Sequence, residues 1–130
     1  MKGINTVMEK IDIHIHTRLP KYSGEGRFKS TGSTETMDYL NKQQIVHGII
    51  MSMGETELPN NAECAEICQE EKNLHWNCNF DAKDPKNIFK RMEACKKLGA
   101  VGVGELFINE KIDSPIIQAI FVAAEQLELP

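Results

Sequence analysis

Two histidines, His14 and His16, follow an acid, Asp12, in the stretch KIDIHIHT at residues 10–17. Residues two apart on a strand project from one face, about 6.6 Å apart along it. Two imidazoles at that spacing converge on one metal ion if the strand end bends slightly. Neutral imidazole serves zinc, iron, nickel and manganese alike, so the pair predicts a divalent metal, zinc first. Asp12 lies deeper on the same alternating face. Its expected role is to orient a histidine from behind rather than to ligate. Ile11, Ile13 and Ile15 make the other face, which the pattern places under helices.

A carboxylate that can join the histidines is Glu105, in the stretch GVGE. Gly102 and Gly104 remove side-chain bulk beside it, which permits close approach of a helix or a ligand. Asn79 and Asp81 fall on the polar side of an alternating stretch, LHWNCNFD, and are expected to contact substrate. His47 and His75 read as structural. The stretch GEGRFKSTGST does not match the phosphate-loop pattern G-x-x-x-x-G-K-[ST] and is expected to be a mobile lid. Lys21, Arg27 and Lys29 in that region are expected to be solvated.

The elements that must position these residues alternate strand and helix four times. Strands are expected near residues 10–16, 45–53, 74–81 and 100–107. The second is almost continuously apolar, as in a parallel strand covered on both faces. Ser33 is expected to cap the first helix, Asn60 with Glu63 the second, and Asp84, followed by Pro85, the third. Ser114 and Pro115 open the fourth. Ile88, Met92, Cys95 and Leu98 form the third helix's apolar stripe, and Gly99 ends it. The fourth helix buries Ile116, Ile117, Ile120, Phe121, Ala124 and Leu127. Strict alternation predicts an α/β fold with a parallel sheet: four βα units, half of a TIM-type (β/α)8 barrel. Such sheets carry function at the carboxyl ends of their strands, where His14, His16, Asp81 and Glu105 fall.

The chain has 130 residues and a net charge of −4, which suits one domain over residues 1–130 and disfavours a nucleic-acid partner. No long apolar run predicts a membrane span or a signal peptide, so the expected location is the cytoplasm. Cys64, Cys68, Cys78 and Cys95 form no C-x-x-C pair and are expected to be reduced core thiols.

IDIHIHT, then NNAECAEICQEEKNLHWNCNFDAKDP, GAVGVGE and a helix ending AAEQLELP together resemble the N-terminal half of the amidohydrolase superfamily, nearest its amidohydrolase-related branch. The likeness runs from Met8 onward, which makes residues 1–7 an extension. It implies a (β/α)8 barrel with one or two metals at the strand ends. It implies that His14 and His16 are first-strand ligands and Glu105 a fourth-strand ligand. The activity implied is hydrolysis of a small ester, amide, lactone or phosphoester by a metal-activated water. Some members of the branch decarboxylate instead.

The resemblance also implies histidines from a fifth and a sixth strand and an aspartate from an eighth, the aspartate serving as general base. None of these lies within the four units present, and a full barrel takes about 250 residues. Three outcomes stand open. The chain is part of a longer enzyme; or two copies close one barrel, with Glu105 of one reaching the histidines of the other; or it is a catalytically silent half barrel.

Overall fold

The apolar run that predicts a doubly covered strand becomes the second strand of a four-stranded sheet in the structure, a computed structural model that describes residues 7–130. The strands are β1 (Lys10–Ile15), β2 (Ile45–Met51), β3 (Leu74–Cys78) and β4 (Gly102–Val103). They pair in chain order and all run parallel. Helices α1 (Ser33–Lys42), α2 (Asn61–Glu70), α3 (Ile88–Lys97) and α4 (Pro115–Gln126) alternate with them. The result is the expected α/β half barrel: a curled sheet with helices packed on its convex side. The segment read as an extension lies, apart from Val7, outside the described residues.

The core fills the space between sheet and helices. Ile50 on β2 and Leu74, Trp76 and Cys78 on β3 are buried there against Leu40, Ile67, Met92 and Ile120. The concave face has no such cover. Ile49, His75 and Asn77, which alternate with the core residues, are only half-buried. So β2 is covered on one face and partly open on the other.

The first strand departs from its simple alternation. Asp12 pairs with Gly48 and Ile15 with Ile50, so three steps on β1 match two on β2. That irregularity is a bulge, and a bulge resets which face each side chain takes. Ile15 packs in the core at 9% exposure, but Ile11 and Ile13 are 63% and 68% exposed on the open side. The expectation that all three isoleucines lie under helices is corrected accordingly. Two stripe residues are also exposed, Leu98 at 55% and Phe121 at 44%, because each lies at the margin of its helix's contact with the layer beneath.

The helix ends follow local chemistry with some exchanges of role. Asn60 Oδ1 accepts the Glu63 N–H at 3.0 Å, as the capping pattern predicts. Gly32, not Ser33, is the capping residue of α1; Ser33 is its first helical residue and donates its N–H to the Arg18 carbonyl at 2.7 Å. Asp84 precedes a short 3₁₀ turn, Pro85–Asn87, and its carboxylate accepts from the Asn87 side chain instead of a helix N–H. The Ser114 side chain makes no capping bond. Gly99 takes φ +101° and ends α3 as expected. All four cysteines are free. Burial raises the pKa of Cys64 and lifts Cys68 to about 12, which keeps both as thiols. Among the described residues no helix is long and apolar enough to cross a membrane.

One buried ion pair clamps the end of β1. Arg18 and Glu63 are 2% and 6% exposed. Arg18 Nε and Nη2 donate to the two Glu63 oxygens at 2.8 and 3.2 Å. Glu63 Oε1 also accepts the Leu19 N–H at 2.9 Å. Glu63 therefore turns away from the α2 capping box and toward β1. Breaking a buried pair from one side strands the other charge. Glu63→Ala is expected to cost about 3–5 kcal/mol in a urea unfolding experiment. A loss below about 1 kcal/mol would show that the pair contributes no more than an exposed one.

Candidate metal centre

His14, His16 and Glu105 are brought together at the carboxyl end of the sheet. His14 Nε2 and His16 Nε2 stand 3.3 Å apart. Glu105 spans both rings, with Oε2 3.3 Å from His14 Nε2 and Oε1 3.4 Å from His16 Nε2. Among the described residues this is the one group of three or more side chains with donor atoms close enough to hold an ion. An ion bound tetrahedrally at about 2.0–2.1 Å sets its ligand atoms about 3.3–3.4 Å apart. The nitrogen–nitrogen spacing fits that requirement, and each nitrogen faces its own Glu105 oxygen at a similar distance. All three residues come from one chain, and their approach needs no second copy.

The two histidines lie at and just beyond the irregular end of β1, with ring centroids 5.2 Å apart in an edge-on arrangement. Asp12 stabilises the bulge. Its Oδ1 accepts the His14 backbone N–H at 3.0 Å. Asp12 pairs in register with Gly48, whose missing Cβ would face Ile15, Leu74 and Leu40 on the core side. The expected role of orienting a histidine thus acts through the His14 main chain, not through an imidazole.

Glu105 depends on its glycines and on Asn79. A Cβ at residue 102 would stand 2.6 Å from Asn77 Oδ1 and 3.0 Å from the Pro130 carbonyl, so a side chain there would force Asn77 to move and crowd the main chain. Gly104 takes φ +113°, a conformation that favours glycine. Asn79 Nδ2 then donates to the Glu105 carbonyl at 2.6 Å and to the Ser52 carbonyl at 3.3 Å. Asn61 holds Asn79 in turn: its Nδ2 donates to the Asn79 carbonyl and its Oδ1 accepts the Asn79 N–H, at 2.8 and 3.0 Å. Asn79 is 2% exposed. Its bond to the Glu105 carbonyl positions that residue's main chain. Asp81 is similarly engaged, accepting the Glu55 N–H at 3.1 Å and the Thr56 hydroxyl at 2.9 Å. Those bonds knit two loops together while leaving the Asp81 side chain partly exposed.

Phe28, which the sequence did not single out, lies beside the centre. Its ring centroid is 5.8 Å from that of His16. Arg27 stacks on Phe28 at 5.5 Å and pairs with Glu57 at 3.4 Å. The loop expected to be a lid therefore rests an aromatic ring against one histidine. The concave side below is a cleft of about 430 Å³ with Ile13, Ile49, Met51 and Val103 in its walls and His14 and Glu105 on its border.

No protein-family model matches this sequence, and no curated protein matches it. The fold matches two solved structures. One is a probable 2-pyrone-4,6-dicarboxylic acid hydrolase from Acinetobacter baumannii with citric acid bound, at TM-score 0.67 and 18% identity over 94% of this chain and 48% of that one. The other is a protein from Agrobacterium tumefaciens in its apo form, also at TM-score 0.67 and 18% identity, over 98% of this chain and 48% of that one. The chain thus spans about half the length of each solved relative, and at this identity the likeness establishes the half-barrel fold.

Burial holds the His16 pKa below its ordinary value; Glu105 opposes the shift and His14 adds to it. A histidine with a lowered folded pKa takes up a proton more readily in the unfolded chain. Its contribution is therefore present above the unfolded value of 6.5 and is lost as pH falls through that value toward the folded one. Melting temperatures of metal-free protein should fall between about pH 7.5 and about pH 5.5 more steeply for the native sequence than for His16→Gln. Equal slopes would assign the acid sensitivity to other groups.

Proposed function

We propose that the chain is the metal-holding half of a metal-dependent hydrolase barrel of the amidohydrolase type. His14 Nε2, His16 Nε2 and a Glu105 oxygen would hold a divalent ion, zinc first, with manganese, iron or nickel as the other candidates. The observation that carries this reading is the convergence of the three side chains in one chain: the two nitrogens are 3.3 Å apart, and each faces its own Glu105 oxygen at 3.3 or 3.4 Å. A low His16 pKa favours the neutral imidazole that ligation needs.

When bound, such an ion lowers the pKa of a coordinated water and polarises the oxygen of a scissile carbonyl or phosphoryl group. The chain's own residues do the rest of the work assigned to this half. Asp12 fixes the His14 backbone, Asn79 fixes the Glu105 backbone, and Phe28 shields one side of His16 from water. The name of the Acinetobacter neighbour favours a small carboxylated lactone among the possible substrates. A general base, as the family resemblance implies, would come from strands outside the four units described.

Those strands would stand at the edge of β4. The Val103 N–H already donates to the Pro130 carbonyl there, at 2.8 Å, and Leu129 is buried in the core. A second copy that set its β1 directly against β4 would have to displace residues 128–130. This disfavours a simple twofold closure through β1 and β4.

Metal analysis of tag-free protein dialysed against zinc tests the reading. The native sequence should retain about one ion per chain at this centre, while His14→Ala with His16→Ala, or Glu105→Gln, should lose it. Asn79→Ala should weaken metal affinity about 10–100-fold while keeping the three ligands. Zinc retention unchanged by His14→Ala and His16→Ala together would sink the assignment.

A further inference from the structure

A second pair of imidazoles lies on the concave face, nearer the amino ends of the strands. His47 on β2 and His75 on β3 bring Nδ1 and Nε2 to 3.1 Å, with ring centroids 5.2 Å apart. The register pairs His75 with Ile49, two residues beyond His47, so both histidines take the side away from the core. His47 is exposed and His75 half-buried, and neither fills a packing position between sheet and helices. The two nitrogens can share a single hydrogen, which makes one donor and the other acceptor.

We propose that His47 and His75 form a second, two-ligand site for a late first-row divalent ion such as nickel, copper or zinc. An ion about 2.05 Å from both nitrogens would see them at an angle of about 98°, between octahedral and tetrahedral values. The nitrogen spacing thus suits a shared ion without a change of backbone, and rotation of the side chains would aim both lone pairs at it. Both donors are imidazoles and no carboxylate joins them within chelating distance among the described residues. That set selects borderline transition ions over magnesium or calcium, which demand oxygen. Water would fill the remaining positions. A bound ion would tie β2 to β3 at the opposite end of the sheet from Glu105, and so would staple the strands that form the cleft.

The chain has four histidines, two in each proposed site, which makes the test clean. Nickel binding to tag-free protein would be measured by calorimetry, with circular dichroism confirming the fold of each variant. Nickel does not oxidise thiols as copper does. The native sequence should bind two equivalents. His14→Ala with His16→Ala should leave one, and adding His75→Ala should remove it. His47→Gln with His75→Gln should also leave one, now at the first centre. The proposal is overturned if the His14→Ala, His16→Ala protein takes up no nickel, or if His75→Ala leaves its uptake unchanged. If instead the His47→Gln, His75→Gln protein binds none while the His14→Ala, His16→Ala protein binds one, the second site stands and the first centre fails.

Discussion

Everything at the carboxyl end of this sheet depends on its curl. Four strands laid flat would separate β1 from β4 by three spacings, about 14 Å. No glutamate reaches across that gap. Yet Glu105, just past β4, touches histidines on and beyond β1 at 3.3 and 3.4 Å. Parallel pairing with helices on one side supplies the twist, and the helix layer holds the sheet bent. The centre is therefore a product of the whole half barrel. Loosening α3 or α4 would open the distance between Glu105 and the histidines without touching either.

Curl alone brings the edges near; three polar devices fix the approach. The Arg18–Glu63 pair locks the chain leaving β1 onto α2. The Asp12 bond to the His14 N–H stabilises the bulge. The Asn61–Asn79 pair carries the Glu105 backbone. Each uses a side chain to satisfy main-chain groups that a regular ladder would otherwise have satisfied. Irregular backbone at a strand end needs such partners, because buried N–H and carbonyl groups left alone are costly. The same irregularity is what frees the side chains to converge.

Much of this architecture was legible in the residues. Period-two and helical stripes gave the order of strands and helices, and the glycine-flanked glutamate and the H-x-H pair are the groups that meet. What alternation could not reveal is a bulge, because one extra residue leaves no mark in hydrophobicity while it exchanges faces. Ile11 and Ile13 were misassigned for that reason. The fourth strand is short for a related cause: Gly102 and Gly104 serve the approach of Asn77 and the turn into Glu105, at the expense of a ladder. Asn79 and Asp81 read as mouth residues because their alternation is polar. Their partners Asn61, Glu55 and Thr56 lie far off in sequence, and of the two only Asn79 is fully buried. Arg18 and Glu63 are 45 residues apart and carry no periodic signature.

The open concave face gives the site its remaining character. Ile13, Ile49 and Val103 line a cleft that in a closed barrel would be interior, and His14 stands at its border with a side chain half exposed. In that setting a carboxylate facing two imidazoles is well screened by water and gains little from simple ion pairing. A divalent charge changes the balance, because it attracts the carboxylate strongly and needs both imidazoles neutral. Closure of the cleft by further strands would strengthen that attraction by excluding water. Under the proposed reading, the three side chains would already stand together within these four units, and strands closing the cleft would supply the dry environment that strengthens their hold on an ion.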